Sequence, residues 1–282
     1  MPPSPPDPAA KPEKPARLRE LLIRVASALV LIPAVLGVVA LGGVFFLALV
    51  SIGVALLCVE WGVISSPNTS GRLSVALSIA ILSALFTGYL GHPVLSFLIL
   101  LFGSLCAGLY ANRLGGGWMD AAYGVFYIGL PAIIIVWLRS TDKGLYWVFF
   151  AFLIAWAADS AAYLVGRLVG GPKLWRRYSP NKTWSGFAGG MIAGMLTSGS
   201  LSDLTHVFHH DTSASVVGLI VALATMAGDL WESALKRRFG VKDAGSLIPG
   251  HGGLMDRVDG LMFAIVALGV IRLLVLLGTV IL

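Results

Sequence analysis

Charge is scarce in this chain. Of its 282 residues only 12% are Asp, Glu, Lys or Arg, 57% are hydrophobic, and the mean hydropathy is +0.87. So few charges cannot cover the outside of a soluble domain with that much apolar surface, so an ordinary soluble globule is excluded and a bilayer is indicated. Cysteine is nearly absent. Cys58 and Cys106 both lie in apolar stretches, with no CxxC spacing and no histidine companion, which argues against a zinc site or a disulfide framework. No basic and aromatic cluster interrupts the apolar stretches, so no nucleic-acid partner is expected. Gly115-Gly116-Gly117 lacks a following Lys-Ser/Thr and is not a P-loop.

What the chain does have is a succession of apolar runs. Residues 1–16 (MPPSPPDPAAKPEKPA) are rich in proline and charge and are expected to form a disordered cytoplasmic tail. They do not form a signal peptide, because the apolar run behind them is too long and no cleavage region follows. Nine helices are expected, at about 20–42, 44–62, 73–91, 93–111, 122–138, 144–167, 186–200, 213–231 and 261–282. The fold class is an all-α polytopic membrane protein of one integral domain. Residues 17–150 supply N-terminal transmembrane helices, and residues 151–282 a C-terminal transmembrane catalytic region. The seventh run is short and rich in small residues, which favours packing against neighbours over contact with lipid.

Orientation follows from Lys and Arg. With the N-terminus inside, the inner segments hold 17 of the 20, leaving Arg139 and Lys143 outside and Arg272 within the last span. That bias predicts an N-in, C-out topology. The formal charge of +6 therefore marks one membrane side. Two inner connections, about 167–185 and 232–260, carry most of the polar residues of the C-terminal half, and loops on a rigid frame are where chemistry tends to sit. The loop with His206, His209 and His210 falls on the outer side and is read as solvated.

The stretch Gly228–Gly260 (GDLWESALKRRFGVKDAGSLIPGHGGLMDRVDG) is the strongest chemical signal. If the eighth helix continues to Arg238, then Asp229, Glu232, Ser233, Lys236 and Arg237 share one face at i, i+3, i+4, i+7 and i+8. Lys242, Asp243, the turn His251-Gly252-Gly253, and Asp256-Arg257-Val258-Asp259 follow. Such a segment suits the handling of a polyphosphate. Carboxylates can hold a divalent cation, Lys and Arg neutralise phosphate, and glycines let backbone N–H groups approach it. In the sixth run Asp159 is an ionisable residue inside a span, with Tyr163 one turn on. It calls for a partner, for which Lys182 and Arg257 are candidates.

Ser233-x-Leu235-Lys236-Arg237, then Lys242-Asp243, then Pro249-x-His251-Gly252-Gly253-Leu254-x-Asp256-Arg257-x-Asp259 resembles the signature of the phosphatidate cytidylyltransferase (CDP-diacylglycerol synthase) family. Ser179-Pro180-Asn181-Lys182-Thr183-Trp184-Ser185-Gly186 resembles a second element of that family, with Ser185 where many members have Glu. The resemblance has sharp motifs from about Ala155 onward and amounts to hydropathy before that. It implies a nucleotidyltransferase of the inner (plasma) membrane that joins CTP and phosphatidate into CDP-diacylglycerol and pyrophosphate, with its site on the cytoplasmic side. It implies magnesium, with potassium beside it, at Asp229 and Asp256; Asp259 and Glu232 are further candidate ligands. Lys236, Arg237, Lys242 and Arg257 would bind phosphate, with Asp243 beside them and His251 as a turn-stabiliser or phosphate contact. Asp159, Tyr163, Ser179, Lys182, Thr183, Ser233, Gly252 and Gly253 would line the substrate pocket, although a helix cap is an equal reading for Ser179 and Thr183. The family also suggests a homodimer, which no motif in this chain marks.

Two other functions compete. A CTP-dependent lipid kinase would use the same nucleotide. A transporter for an anionic solute would also place charge at helix ends, but it should show polar residues near the midplane, and the first 150 residues have almost none within their spans.

Overall fold

The structure, a computed structural model, describes residues 29, 30, 32–208, 210–245 and 252–278, with Asp211 known by its backbone alone. The expected tail, His209 and His251 lie outside the described residues. Nine helices appear among them in the expected order: α1 (Ile32–Leu41), α2 (Gly43–Ser65), α3 (Ser70–Tyr89), α4 (Pro93–Arg113), α5 (Trp118–Ser140), α6 (Gly144–Leu168), α7 (Trp184–Thr205), α8 (Asp211–Arg238) and α9 (Met255–Leu276). Seven segments are long and apolar enough to cross a membrane, α2 through α6 together with α8 and α9.

The helices differ from expectation mostly at their polar ends. α8 runs seven residues past Trp231, and α9 begins at Met255 rather than near 261. Hydropathy measures apolarity, so it misses turns that carry Glu232, Lys236, Asp256 and Asp259 even where the backbone stays helical. One element was not foreseen. Between α6 and α7, strands β1 (Lys173–Trp175) and β2 (Ser179–Thr183) form an antiparallel hairpin with an irregular register, pairing Lys173 with Thr183 and Trp175 with Ser179. Its strands are too short to alternate visibly, and Pro180 is tolerated because the hairpin has only edge strands.

Chain reversals place the segments before α3, before α5, between α6 and α7, and between α8 and α9 at one end of the bundle. Long-range contacts tie that end together: Arg238 pairs with Asp120, and Trp61 donates Nε1–H to the Asp120 carbonyl at 3.1 Å. At the other end Arg139 donates to the carbonyls of Val39 and Ala40, and Arg272 donates to that of Asp142. This alternation is the one that the Lys and Arg pattern requires.

α7 packs against both α6 and α8 along one face, and its other face, with Ile192, Leu196 and Leu204, is exposed. Its small residues explain this. A Cβ added at Gly194 would stand 2.5 Å from the Ala222 Cβ and 3.0 Å from the Gly218 carbonyl oxygen, so the two backbones touch there. Ser198 and Ser202 are buried on the same side. Close approach of this kind replaces the hydrophobic drive that is missing between helices in lipid. Gly194→Leu should therefore separate α7 from α8 and cost about 1–3 kcal/mol, the usual range for overpacking. A lowered unfolding temperature in detergent is the check, and an unchanged one would mean that this crossing is not tight.

Candidate functional site

Acidic residues collect where α8 meets α9. The two helices cross closely at Gly228, where an added Cβ would lie 2.6 Å from the Asp259 carbonyl oxygen, and at Gly260, where it would lie 2.9 Å from the Thr225 carbonyl oxygen. Because no side chain separates the backbones, Glu232 on α8 comes against Asp259 on α9. Glu232 is 1% exposed; one of its oxygens accepts from Lys236 at 3.3 Å, and the other, Oε1, is buried with no hydrogen-bond partner. One turn earlier Asp229 forms an ion pair with Lys182 of β2. Asp159, from α6, is the fourth carboxylate here, and the charges acting on it are those of Asp229, Asp259 and Lys182. Lys182, offered as a partner for Asp159, thus serves Asp229 directly and Asp159 only through the shared field.

Asp256 is held differently. Its Oδ1 accepts from Lys236 Nζ at 2.6 Å, while its Oδ2 accepts from the backbone N–H groups of Ala244 at 3.1 Å and Gly253 at 3.3 Å. Lys236 therefore bridges Glu232 and Asp256 across the two helices, and Asp256 fastens the loop after α8 to the start of α9. Gly253 has to be glycine, since a Cβ there would stand 2.9 Å from Asp256 Oδ2 and 3.0 Å from Glu60 Oε1.

Glu60 is the residue that sequence reasoning missed. It comes from α2, is 2% exposed, and accepts from the backbone N–H groups of Leu254 and Met255, both at 2.7 Å. It thereby satisfies two of the donors that a helix start leaves unpaired, and puts negative charge at the positive end of α9. A signal was available: Glu60 is the sole acidic residue between Glu20 and Asp120, and an ionisable residue in a span calls for a function.

Other expected residues lie further out. Ser233 is half-buried on α8, Lys242 and Asp243 are exposed on the following loop, and Arg257 is exposed on the first turn of α9. Arg237 leaves the face shared by Asp229, Glu232 and Lys236, because the i+8 position has rotated toward Ala234 and Arg238. The hydroxyl of Tyr163 accepts from Arg167 at 3.1 Å, on an exposed part of α6. The Thr183 hydroxyl caps α7 by accepting from Gly186 N–H at 3.2 Å, which fits the helix-cap reading. Ser179 pairs with Trp175 within the hairpin, and Gly252, at φ +82°, turns the chain into α9.

A family model described as "Cytidylyltransferase family" matches residues 22–275. The chain belongs to the cytidylyltransferase family. The matched range includes every acidic residue of the site, Glu60 among them. Within the family the chain is 45% identical over 151 residues to a protein of Brucella melitensis named phosphatidate cytidylyltransferase, covering 53% of this chain and 55% of that one. Proteins of the same name from Staphylococcus saprophyticus and Staphylococcus aureus are 39% and 40% identical over 159 and 161 residues, each covering 54% of this chain and 59% of theirs. The chain thus spans a little over half the length of the curated relatives it matches.

Among the described residues no three carboxylate, imidazole or thiolate groups form a ready-made metal cage. The donor chemistry nonetheless fits a hard cation, since the site offers carboxylate oxygens from three helices and one of them, Glu232 Oε1, is buried without a donor. Below the acids, Tyr123, Phe126, Tyr127, Leu130, Met262 and Phe263 help to line an apolar cleft of about 410 Å³ between α5, α8 and α9. The Tyr127 hydroxyl at its wall is buried without a hydrogen-bond partner among the described residues.

Glu60→Gln keeps the shape but leaves a single acceptor for two buried N–H groups, which should cost about 1–3 kcal/mol. The unfolding midpoint in detergent reads this, and a midpoint equal to that of the unaltered chain would mean that α9 does not depend on Glu60.

Proposed function

We propose that this chain is a phosphatidate cytidylyltransferase, transferring the cytidylyl group of CTP to a lipid phosphate. The observation that carries the reading is the gathering of Asp159, Asp229, Glu232 and Asp259 with Lys182 and Lys236 at one end of an apolar bundle, directly above an apolar cleft. Two anions must meet in this reaction, so the site has to supply cations, and lysines beside a carboxylate cluster, with Glu232 buried in it, suit that task. The names of the relatives agree with the reading.

The step is a displacement at the α-phosphorus of CTP. An oxygen of the lipid phosphate forms the new P–O bond, and the bond to the β-phosphate oxygen breaks to release pyrophosphate. The lipid phosphate is the nucleophile as it stands at neutral pH, since its second pKa is about 6, so no side chain need remove a proton. Asp229, Glu232 and Asp259 would hold a magnesium ion, with Asp256 as the remaining candidate ligand and potassium as a companion. When bound, the ion would screen the triphosphate and the departing charge. Lys182 and Lys236, now paired with Asp229 and Asp256, could turn toward phosphate oxygens, and Lys242 and Arg257 are exposed on the segments that flank Asp256. The apolar cleft between α5, α8 and α9 offers room for an acyl chain. CTP would enter from the cytoplasm and the lipid from the inner leaflet, in keeping with an N-in, C-out inner-membrane protein.

Two measurements test this. In membranes containing the protein, phosphatidate and magnesium, label from the α-phosphate of CTP should enter the lipid and label from the γ-phosphate should not; transfer of the γ-label would establish a lipid kinase instead. Asp256→Asn should lower kcat/KM at least about a hundredfold, because Lys236 loses one of its two charged partners and the glycine turn its anionic anchor. Near-normal turnover by a correctly inserted variant would exclude that role.

A further inference from the structure

A second cleft, of about 490 Å³, lies between the hairpin and the last turns of α8. Arg177 and Tyr178 line it from the hairpin, and Trp231, Ala234, Arg237 and Arg238 from α8. On a helix of 3.6 residues per turn these α8 positions face away from Asp229 and Glu232, so the cleft is separate from the acidic site. Basic residues at the end of a helix are ordinary, because they complement its dipole. Arg177 is not explained that way, since it arrives from another element and still points its charge into the same space.

The charge is available for a ligand. Arg238 pairs with Asp120, but among the described residues neither Arg177 nor Arg237 pairs with a carboxylate. The guanidinium of Arg177 lies 5.4 Å from the centre of the Tyr178 ring. Trp231 is 45% exposed, and its ring is fixed by donation of Nε1–H to the Tyr123 hydroxyl at 2.6 Å. The floor of the cleft continues along the helix. Val216, Ile220, Leu223 and Trp231 are all exposed on this one flank of α8, forming an apolar stripe that runs toward the arginines. An apolar lane leading to two unpaired guanidiniums, with Trp and Tyr at the junction, has the chemistry of one kind of occupant. Arginine binds phosphate oxygens in pairs, and aromatic rings settle at headgroup level.

We infer that this cleft binds the headgroup phosphate of an anionic phospholipid whose acyl chain lies along Val216, Ile220 and Leu223. It is a lipid site additional to the acidic site, and it does not rest on the proposed activity, since neither CTP nor a metal is needed to fill it. The test uses the full chain, purified in an uncharged detergent, and a fluorescent phosphatidylglycerol, which lacks the phosphate monoester that the proposed reaction consumes. Phosphatidylglycerol should bind more tightly than phosphatidylcholine with the same chains. Arg177→Ala should weaken its binding about fivefold, and Arg237→Ala by a similar factor, with unfolding midpoints unchanged because both side chains are exposed. Inorganic phosphate should displace the probe only weakly. Equal binding of the two lipids, retention of affinity in the Arg177→Ala, Arg237→Ala double variant, or displacement by inorganic phosphate as effective as by lipid would each overturn the inference, the last by identifying a site for free phosphate.

Discussion

The start of α9 is the point on which the site depends. A helix that begins inside a membrane protein brings unpaired N–H groups into a region where water cannot serve all of them, and each unsatisfied one is expensive. Two carboxylates meet that demand here. Glu60 reaches across from α2 to the N–H groups of Leu254 and Met255, and Asp256 takes those of Gly253 and Ala244. The same contacts that satisfy the backbone also set the position of Asp256 and, through Lys236, its relation to Glu232. Backbone satisfaction and placement of the charged groups are one arrangement.

The second requirement is that charged groups from three helices come close without the site being filled by their supports. Gly228 and Gly260 accomplish this by letting α8 and α9 touch at the backbone. Asp229, Glu232 and Asp259 can then face a common space, and the hairpin delivers Lys182 from the side. Asp120 performs a comparable task at the margin, joining α2 and α8 by accepting from Trp61 and pairing with Arg238.

Much of this was legible in the sequence, for identifiable reasons. The 3.6-residue period put Asp229, Glu232 and Lys236 on one face, and α8 does extend far enough to use it. The small residues of α7 predicted tight packing, which Gly194 and Gly218 provide. The failures are equally specific. Glu60 was hidden because averaging over a span submerges a single acid, and its partners lie nearly two hundred positions away. Arg237 was assigned to the acidic face although each further residue turns the helix by 100°, enough to carry it toward the other flank. The hairpin left no trace because five residues containing Pro180 show no alternation.

The reach of Glu60 from α2 has a consequence for how the two halves of the chain can change. Most of the outward-facing side chains of α2, α3 and α4 are apolar and exposed, so one apolar residue there can replace another at little cost. Glu60, buried on the inner side of α2, is different, because its replacement strands polar backbone at the start of α9. The outward faces of the N-terminal helices are therefore free to drift, while Glu60 and the buried side chains around it are not, and a C-terminal half expressed without those helices would have to find another acceptor before α9 could start where it does.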